Sequence, residues 1–311
     1  DDKFVCRRCR FDRCVEVGME YEPRNERIIK KSPSPDSGEH SPSTSCNDSI
    51  LLRIGLAYNA SIDERRYREL KLFQGLDDPK FAPHPAQKIY LSTYTNSMDV
   101  LNITVEKTRS FVENAFPTLG ELHEEERGRL CANYVPKFCL LETMYRTRTV
   151  WGEIGRFVMS AVQSCVDTGD LDLWLEGKHG CPDRESLIQY LRSQQKVQYD
   201  IVLPVMIRAQ VTIKEFNAAL ALLLCETGSL SDFSDRSLSV LNDIRAEIFD
   251  DLQRHYIDEI GLSDFSTRLG HLITLNHSIR ESLSASREFY QMQQTIFDLY
   301  DVEKNLEALF I

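Results

Sequence analysis

The stretch from residue 212 to residue 228 constrains the fold more than any other part of the sequence. Thr212 and Glu215 have the spacing of a capping box, in which each side chain binds a free backbone N–H group at the start of a helix. The helix that they open, residues 213–226, is apolar on nearly every side, and Gly228 ends it. A helix without a polar face needs other helices on both sides to cover it. The sequence therefore predicts an all-α domain built as a layered helical sandwich.

Further helices are predicted before and after this central one. Apolar residues recur at helical spacing in residues 50–74, 98–116, 121–148, 235–257 and 264–293, and a short last segment covers residues 302–311. Pro117 should stop the second of these helices. Residues 76–87 are rich in proline and predict a loop, whereas Leu171, Leu173 and Leu175 alternate with other residues as in a strand. We therefore expect about ten helices and at most a small hairpin.

Composition and charge divide the chain into three parts. Residues 32–48 lack aliphatic and aromatic side chains and are dominated by serine and proline, so they predict a disordered linker. Residues 1–31 carry nine Lys and Arg against seven Asp and Glu, a balance of +2, so the rest of the chain carries −13 to give the formal net charge of −11. We expect a weakly basic head, the linker, and an acidic helical domain in residues 49–311. The longest dense apolar run, residues 218–225, is too short to cross a membrane.

The head contains a pair of cysteines at the spacing of metal ligands. Cys6 and Cys9 are separated by two residues, and two thiolates at that spacing can bind one Zn²⁺ ion, which takes four ligands in all. Nine scattered cysteines in a chain without a recognisable signal peptide indicate reduced thiols rather than disulfides. A redox pair is the alternative, because the neighbouring arginines would lower a thiolate pKa, but the strand–helix pattern of such proteins is missing.

Residues 6–19 resemble the end of the second zinc finger of nuclear hormone receptors. In that family two residues separate the last two zinc ligands, which begin a helix, and an Arg, an aromatic residue, a further Cys and a Gly-Met pair follow. Here those positions are Cys6, Cys9, Arg10, Phe11, Cys14, Gly18 and Met19. The resemblance implies that Cys6 and Cys9 bind zinc, that Cys14 is a core residue, and that residues 20–31 are the family's basic extension.

Three segments of the helical body resemble the ligand-binding domain of the same family. Phe116-Pro-Thr-Leu119 followed by residues 124–130 resembles the signature between the family's third and fourth helices. Residues 212–224 resemble its central helix, and Ser266-Thr-Arg268-Leu269 is similar to part of its long penultimate helix. The pattern is most similar to the branch expanded in nematodes. The resemblance implies a nuclear transcription factor acting on RNA polymerase II, with coregulator proteins, a homo- or heterodimer partner and a small lipophilic ligand.

The resemblance also implies two sites in the body. The family's ligand pocket would be lined here by Leu101, Val105, Leu141, Met144, Leu272 and Ile279. Alternatively, the same side chains fill the core, because the sequence does not distinguish a cavity from close packing. The switch helix at the coregulator groove would be residues 302–311, with contacts made by Leu306, Glu307, Leu309 and Phe310. In the family, a lysine late in the third helix contacts the coactivator helix together with the glutamate of the switch helix. That lysine has no direct match here, since Lys107 and Arg109 lie about one turn before its position.

The head departs from the family pattern in ways that matter for DNA binding. The first finger, which reads base edges, and two ligands of the second finger are absent, so we expect the chain to begin inside the second finger. Specific DNA binding is then expected of a full-length form only, with phosphate contacts from Arg7, Arg8, Arg10 and Arg13. Two functions stay open: a ligand-regulated or orphan receptor, or a truncated isoform that acts as a dimerisation or coregulator-binding module. The sequence contains no catalytic grouping or phosphate-binding loop, so an enzyme is not expected.

Overall fold

The central helix predicted from the sequence lies at the middle of a layered, mostly helical structure. The computed structural model describes residues 49–152, 156–176, 183–227 and 233–297, with side chains as far as residue 288. The helices are α1 (Ile50–Gln74), α2 (Tyr94–Ala115), α3 (Glu124–Trp151), α4 (Leu171–Trp174), α5 (Arg184–Ala209), α6 (Ile213–Leu224), α7 (Asp235–Arg254) and α8 (Ser266–Phe297). A 3₁₀ turn, Pro117–Glu121, joins α2 to α3, and a π turn, His255–Glu259, follows α7.

Helix α6 is the central helix, and its environment explains its composition. The capping box forms as expected: the Glu215 carboxylate accepts a hydrogen bond from the Thr212 amide at 2.9 Å, and the Thr212 hydroxyl accepts one from the Glu215 amide at 3.3 Å. Every residue from Glu215 to Leu224 is buried, and α1, α3, α7 and α8 all contact the helix. Because helices cover α6 on all sides, a polar face would have no access to water. The predicted all-α sandwich is therefore confirmed.

The predicted starts and ends of the other helices agree with the structure to within a few residues. Helix α1 has the predicted bounds, and the Ser49 side chain caps its first turn. Helix α2 begins earlier than predicted, because Thr93 and Asn96 form a capping box ahead of Tyr94. It ends at Ala115, where Pro117 opens the 3₁₀ turn.

Two local predictions were wrong. The stretch with Leu171, Leu173 and Leu175 is not a strand, because it forms the one-turn helix α4, capped by Asp170. Leu171, Trp174 and Leu175 are buried while Asp172 faces solvent, so the helical spacing of three and four residues accounts for the pattern. The proline-rich residues 76–87 are not all loop, since they include the short strand Phe81–Ala82.

The sequence also did not predict α5, which is one of the longest helices. Polar residues such as Gln189, Gln194 and Gln198 interrupt its apolar stripe, and Pro204 lies inside it. The helix packs along α8, so part of its polar side is buried against another helix instead of facing water. A hydrophobic pattern cannot reveal a helix whose buried side is partly polar.

A four-stranded sheet replaces the single hairpin that the sequence predicted. Its strands are β1 (Phe81–Ala82), β2 (Ile89–Leu91), β3 (Phe157–Met159) and β4 (Ser164–Asp167). They lie in the order β1-β2-β4-β3, with β2 parallel to β4 and the other pairs antiparallel. The sheet therefore ties the chain before α2 to the hairpin after α3. None of the described helices has both the length and the apolar character needed to cross a membrane.

Candidate functional site

A groove of about 380 Å³ lies where α2 ends, the 3₁₀ turn follows and α3 begins. We call it the junction groove. Its lining residues are Arg109, Val112, Glu113, Phe116, Pro117, Leu119, Gly120, Glu124, Arg127, Gly128 and Cys131. Val112, Phe116 and Leu119 are buried and Cys131 is half-buried, whereas most of the charged residues lie toward solvent. The groove thus has an apolar floor and a charged rim.

The local sequence produces this concave surface by forcing a corner in the chain. Phe116 leaves helical geometry, and Pro117 starts the 3₁₀ turn, in which the Leu119 amide donates to the Phe116 carbonyl at 3.0 Å. The Phe116 ring packs edge-to-face against Phe111, with their centroids 6.4 Å apart. The first turn of α3 is acidic, which suits the positive end of its helix dipole.

The rim carries two positive and two negative side chains. Arg109 and Arg127 form no ion pair with any residue in the described ranges, and the same holds for Glu113 and Glu124.

Burial raises the pKa of the Cys131 thiol, although both arginines act in the opposite direction. The thiol is therefore neutral near pH 7 and belongs to the apolar floor. An apolar floor with a charged rim can hold an amphipathic helix of a partner protein.

The structure distinguishes between Lys107 and Arg109, the two cationic residues that lie near the position of the family's lysine. The Lys107 ammonium lies 2.7 Å from the Glu64 carboxylate of α1 and 3.3 Å from the Glu106 carboxylate. It is engaged in these ion pairs and does not line the groove. Arg109, two residues later, lines the groove. Of the two candidates, only Arg109 is in a position to contact a partner there.

The six residues of the expected ligand pocket do not lie in one cluster. Leu141, Met144, Leu272 and Ile279 belong to the main core around α6, and none is more than 2% exposed. Leu101 and Val105 instead pack with Val135 and Cys139 in a separate small cluster. Their role in binding a ligand stays a prediction.

The remaining predicted site residues lie outside the described part of the chain. They are the expected zinc ligands Cys6 and Cys9, the expected DNA contacts Arg7, Arg8, Arg10 and Arg13, and the switch-helix residues Leu306, Glu307, Leu309 and Phe310. The proposed boundaries of the head and the linker also fall there. Within the described ranges, no group of three His, Cys, Asp or Glu side chains is arranged to hold a metal ion.

The sequence contains a signal for the junction groove, although that signal alone does not predict a site. Phe116-Pro-Thr-Leu119 and residues 124–130 resemble a family signature. The groove forms where these segments meet, and Val112 from the preceding helix completes its floor. Arg127 and Gly128 belong to the signature but were not identified as surface residues of a site.

Comparison with known proteins gives consistent matches along the chain. A family model described as the ligand-binding domain of nuclear hormone receptor matches residues 83–296, which include the whole junction groove. Nuclear hormone receptor family member nhr-42 of Caenorhabditis elegans is 22% identical over 320 residues, covering 97% of this chain and 82% of that protein. Member nhr-53 of the same organism is 23% identical, with 98% and 79% covered. Member nhr-28 of Caenorhabditis briggsae is 21% identical, with 98% and 72% covered.

Proposed function

Because the chain belongs to the nuclear hormone receptor family, whose members are transcription factors and not enzymes, we propose that it regulates transcription by RNA polymerase II through a coregulator helix bound in the junction groove. The observation that carries this proposal is that the groove combines an apolar floor with two rim arginines, Arg109 and Arg127, that form no ion pair within the described residues. Apolar residues on one side of a partner helix would enter the floor, at a spacing of three and four residues. An arginine at one end would bind the free carbonyl groups at the C-terminus of that helix.

The proposal includes regulation by a small lipophilic ligand, since the family generally binds such ligands, coregulators and dimer partners. Residues 302–311 would form the switch helix and alter access to the groove. A ligand can shift that equilibrium only as far as it binds one of the two states better than the other. Location in the nucleus is proposed because the family is generally nuclear. Zinc binding by Cys6 and Cys9, and DNA contact by the neighbouring arginines, belong to the same proposal.

Gly128 offers a way to block the groove without disturbing the core. It lies in α3 and lines the groove, and a Cβ atom placed on it would meet no heavy atom within 4 Å. A Gly128→Phe substitution should therefore fill the space that a partner helix needs. Replacing glycine within a helix also favours the helix by a few tenths of a kcal/mol or more, so the fold should be retained. Gly128→Ala makes the same backbone change with almost no added bulk and is the matched control.

The test is a reporter assay with the full chain fused to a heterologous DNA-binding domain. We expect the wild-type chain and Gly128→Ala to shift reporter output in the same direction and by a similar amount. Gly128→Phe should return the output to the level of the DNA-binding domain alone, at equal protein abundance and unchanged Tm. A Gly128→Phe chain that is folded and as active as wild type would show that the groove does not recruit the coregulator.

A further inference from the structure

Helix α1 carries apolar side chains on two different sides. One side is buried in the main core and includes Tyr58 and Ile62. On the other side, Leu52, Leu56 and Tyr67 are 49%, 63% and 69% exposed. We call this second side the outer face of α1. It shares no residue with the junction groove, so coregulator binding does not account for it.

The outer face has the spacing by which two helices pack along each other. Leu52, Leu56, Asn59 and Asp63 are separated by four, three and four residues, and all four are exposed. Side chains at this spacing lie in one line along a helix and form the seam of a coiled coil. Apolar side chains exposed beside polar ones mark an interaction surface.

The charges beside this seam are complementary to those of a second copy. Arg53 and Asp63 are ten residues apart, or about 15 Å along the helix. If two copies of α1 run antiparallel about the level of residue 58, Arg53 of each copy lies opposite Asp63 of the other. Leu56 then lies opposite the small side chain of Ala60. A parallel pair would instead place like charges opposite each other, which is unfavourable.

Both charged groups are available to a partner. Asp63 pairs with Arg66 of its own helix at 2.8 Å, and both side chains are exposed. The Arg53 Nε atom donates to the Ala115 carbonyl at 2.9 Å, while its Nη2 atom lies 3.9 Å from the exposed Glu247 carboxylate. Exposed ion pairs of this kind contribute little to stability, so these groups can exchange partners readily.

We propose that the outer face of α1 binds a second copy of this chain, as an antiparallel pair of α1 helices about a two-fold axis. Leu56 packs on Ala60 near the axis, and Arg53 pairs with Asp63 on each side of it. A two-fold axis makes each of these contacts twice, which is why one self-complementary face is enough. Dimerisation is measured without transcription, so it can fail separately from coregulator binding.

The first test follows self-association of the full chain by sedimentation equilibrium. A single pair of helices buries less surface than a standard interface, so the concentration should span roughly 1–200 μM. We expect a monomer–dimer equilibrium that Leu56→Glu weakens at least about tenfold, because the interface would bury two unpaired charges. Ile273→Glu is the matched control, since Ile273 is 52% exposed on α8, and it should dimerise as wild type does. A monomeric wild-type chain, or a dimer weakened as much by Ile273→Glu as by Leu56→Glu, would overturn the proposal.

The second test exchanges the two charges. Arg53→Glu and Asp63→Arg should each weaken the dimer at least about threefold, because each places like charges opposite one another. The double variant should regain the wild-type affinity. The two residues are too far apart to pair within one helix, so the recovery can come only from contact between copies. A folded double variant that dimerises no better than the single ones would show that these residues do not face each other.

The third test locates the two-fold axis by disulfide formation. Asn59 lies close to the axis, so two copies of an Asn59→Cys chain should become joined on oxidation. Tyr67→Cys is the matched control, because its two copies would be about 27 Å apart along the helices, beyond the reach of a disulfide. The wild-type chain, with its nine cysteines, gives the background on non-reducing gels. Joining of Tyr67→Cys in place of Asn59→Cys, or of neither above background, would contradict the antiparallel pair.

Discussion

At the scale of single residues, Glu215 shows how one side chain joins three elements. Its carboxylate caps α6 through Thr212, accepts a hydrogen bond from the Tyr256 hydroxyl at 3.0 Å, and accepts one from Nε of Arg268 at 2.8 Å. The capping role could be predicted from the sequence, because it depends on a spacing of three residues. The other two contacts could not, since Tyr256 and Arg268 are 41 and 53 residues away and approach only in the folded chain.

These contacts make the stability of the domain depend on pH. Burial alone would raise the pKa of Glu215, but the hydrogen bonds from Arg268 and Thr212 outweigh it, and the pKa lies below its ordinary value. A carboxyl group with a lowered pKa stabilises the folded state above its unfolded pKa, and that contribution is lost as the pH falls below about 4.3. We expect Glu215→Gln to lower the free energy of unfolding by about 2–3 kcal/mol at pH 7 and to remove this part of the acid sensitivity.

Chemical denaturation at pH 7 and at pH 3 measures both effects, because the contribution is lost only well below a pH of about 4.3. Glu247→Gln is the matched control, because Glu247 is 61% exposed and its partner Arg53 is 3.9 Å away. Such an exposed pair should contribute no more than about 0.5 kcal/mol. If Glu215→Gln is as stable as the control at pH 7, the three-way contact does not stabilise the fold.

At the scale of elements, α1 shows that the polarity of a side chain does not by itself predict whether the side chain is buried. Its bounds were predicted correctly, but the hydrophobic pattern did not show which charged side chains of its second half are buried. In the structure Arg65 and Glu69 are buried, at 1% and 0% exposure. Arg65 pairs with Glu142 of α3 at 2.8 Å, and Glu69 accepts hydrogen bonds from the amides of Val162 and Gln163 in the β3–β4 turn. Buried charges are tolerated when they are paired, and the partners come from distant elements that a local pattern cannot show.

Removing the Glu69 carboxylate should loosen the β3–β4 turn. Glu69→Ala leaves the amides of Val162 and Gln163 without their acceptor, and an unpaired buried donor costs about 1–3 kcal/mol. We expect hydrogen exchange at these two amides to become about tenfold faster or more, as followed by mass spectrometry or NMR. Glu64→Ala, at an exposed position of α1 paired with Lys107, should leave them unchanged. Unchanged exchange in Glu69→Ala would mean that the hairpin does not depend on α1.

At the scale of the whole molecule, the sequence predicted the architecture better than the sites. The apolar side chains on nearly every side of α6 required helices on both sides, and this single constraint indicated the layered fold. Helix α5 was missed because its glutamine side is partly buried. The junction groove forms between consecutive elements, at the corner where α2, the 3₁₀ turn and α3 meet. Its existence depends on how these elements pack, which hydrophobic spacing does not determine.

The central claim, that the junction groove binds an amphipathic helix, is tested most directly by binding of short helical peptides. Peptides selected from a displayed library against the wild-type chain should carry apolar residues at positions i, i+3 and i+4. The decisive measurement is their affinity for Gly128→Phe relative to Gly128→Ala. We expect Gly128→Ala to bind them as wild type does and Gly128→Phe to bind them at least about tenfold more weakly. Equal affinity for the two variants would contradict the account.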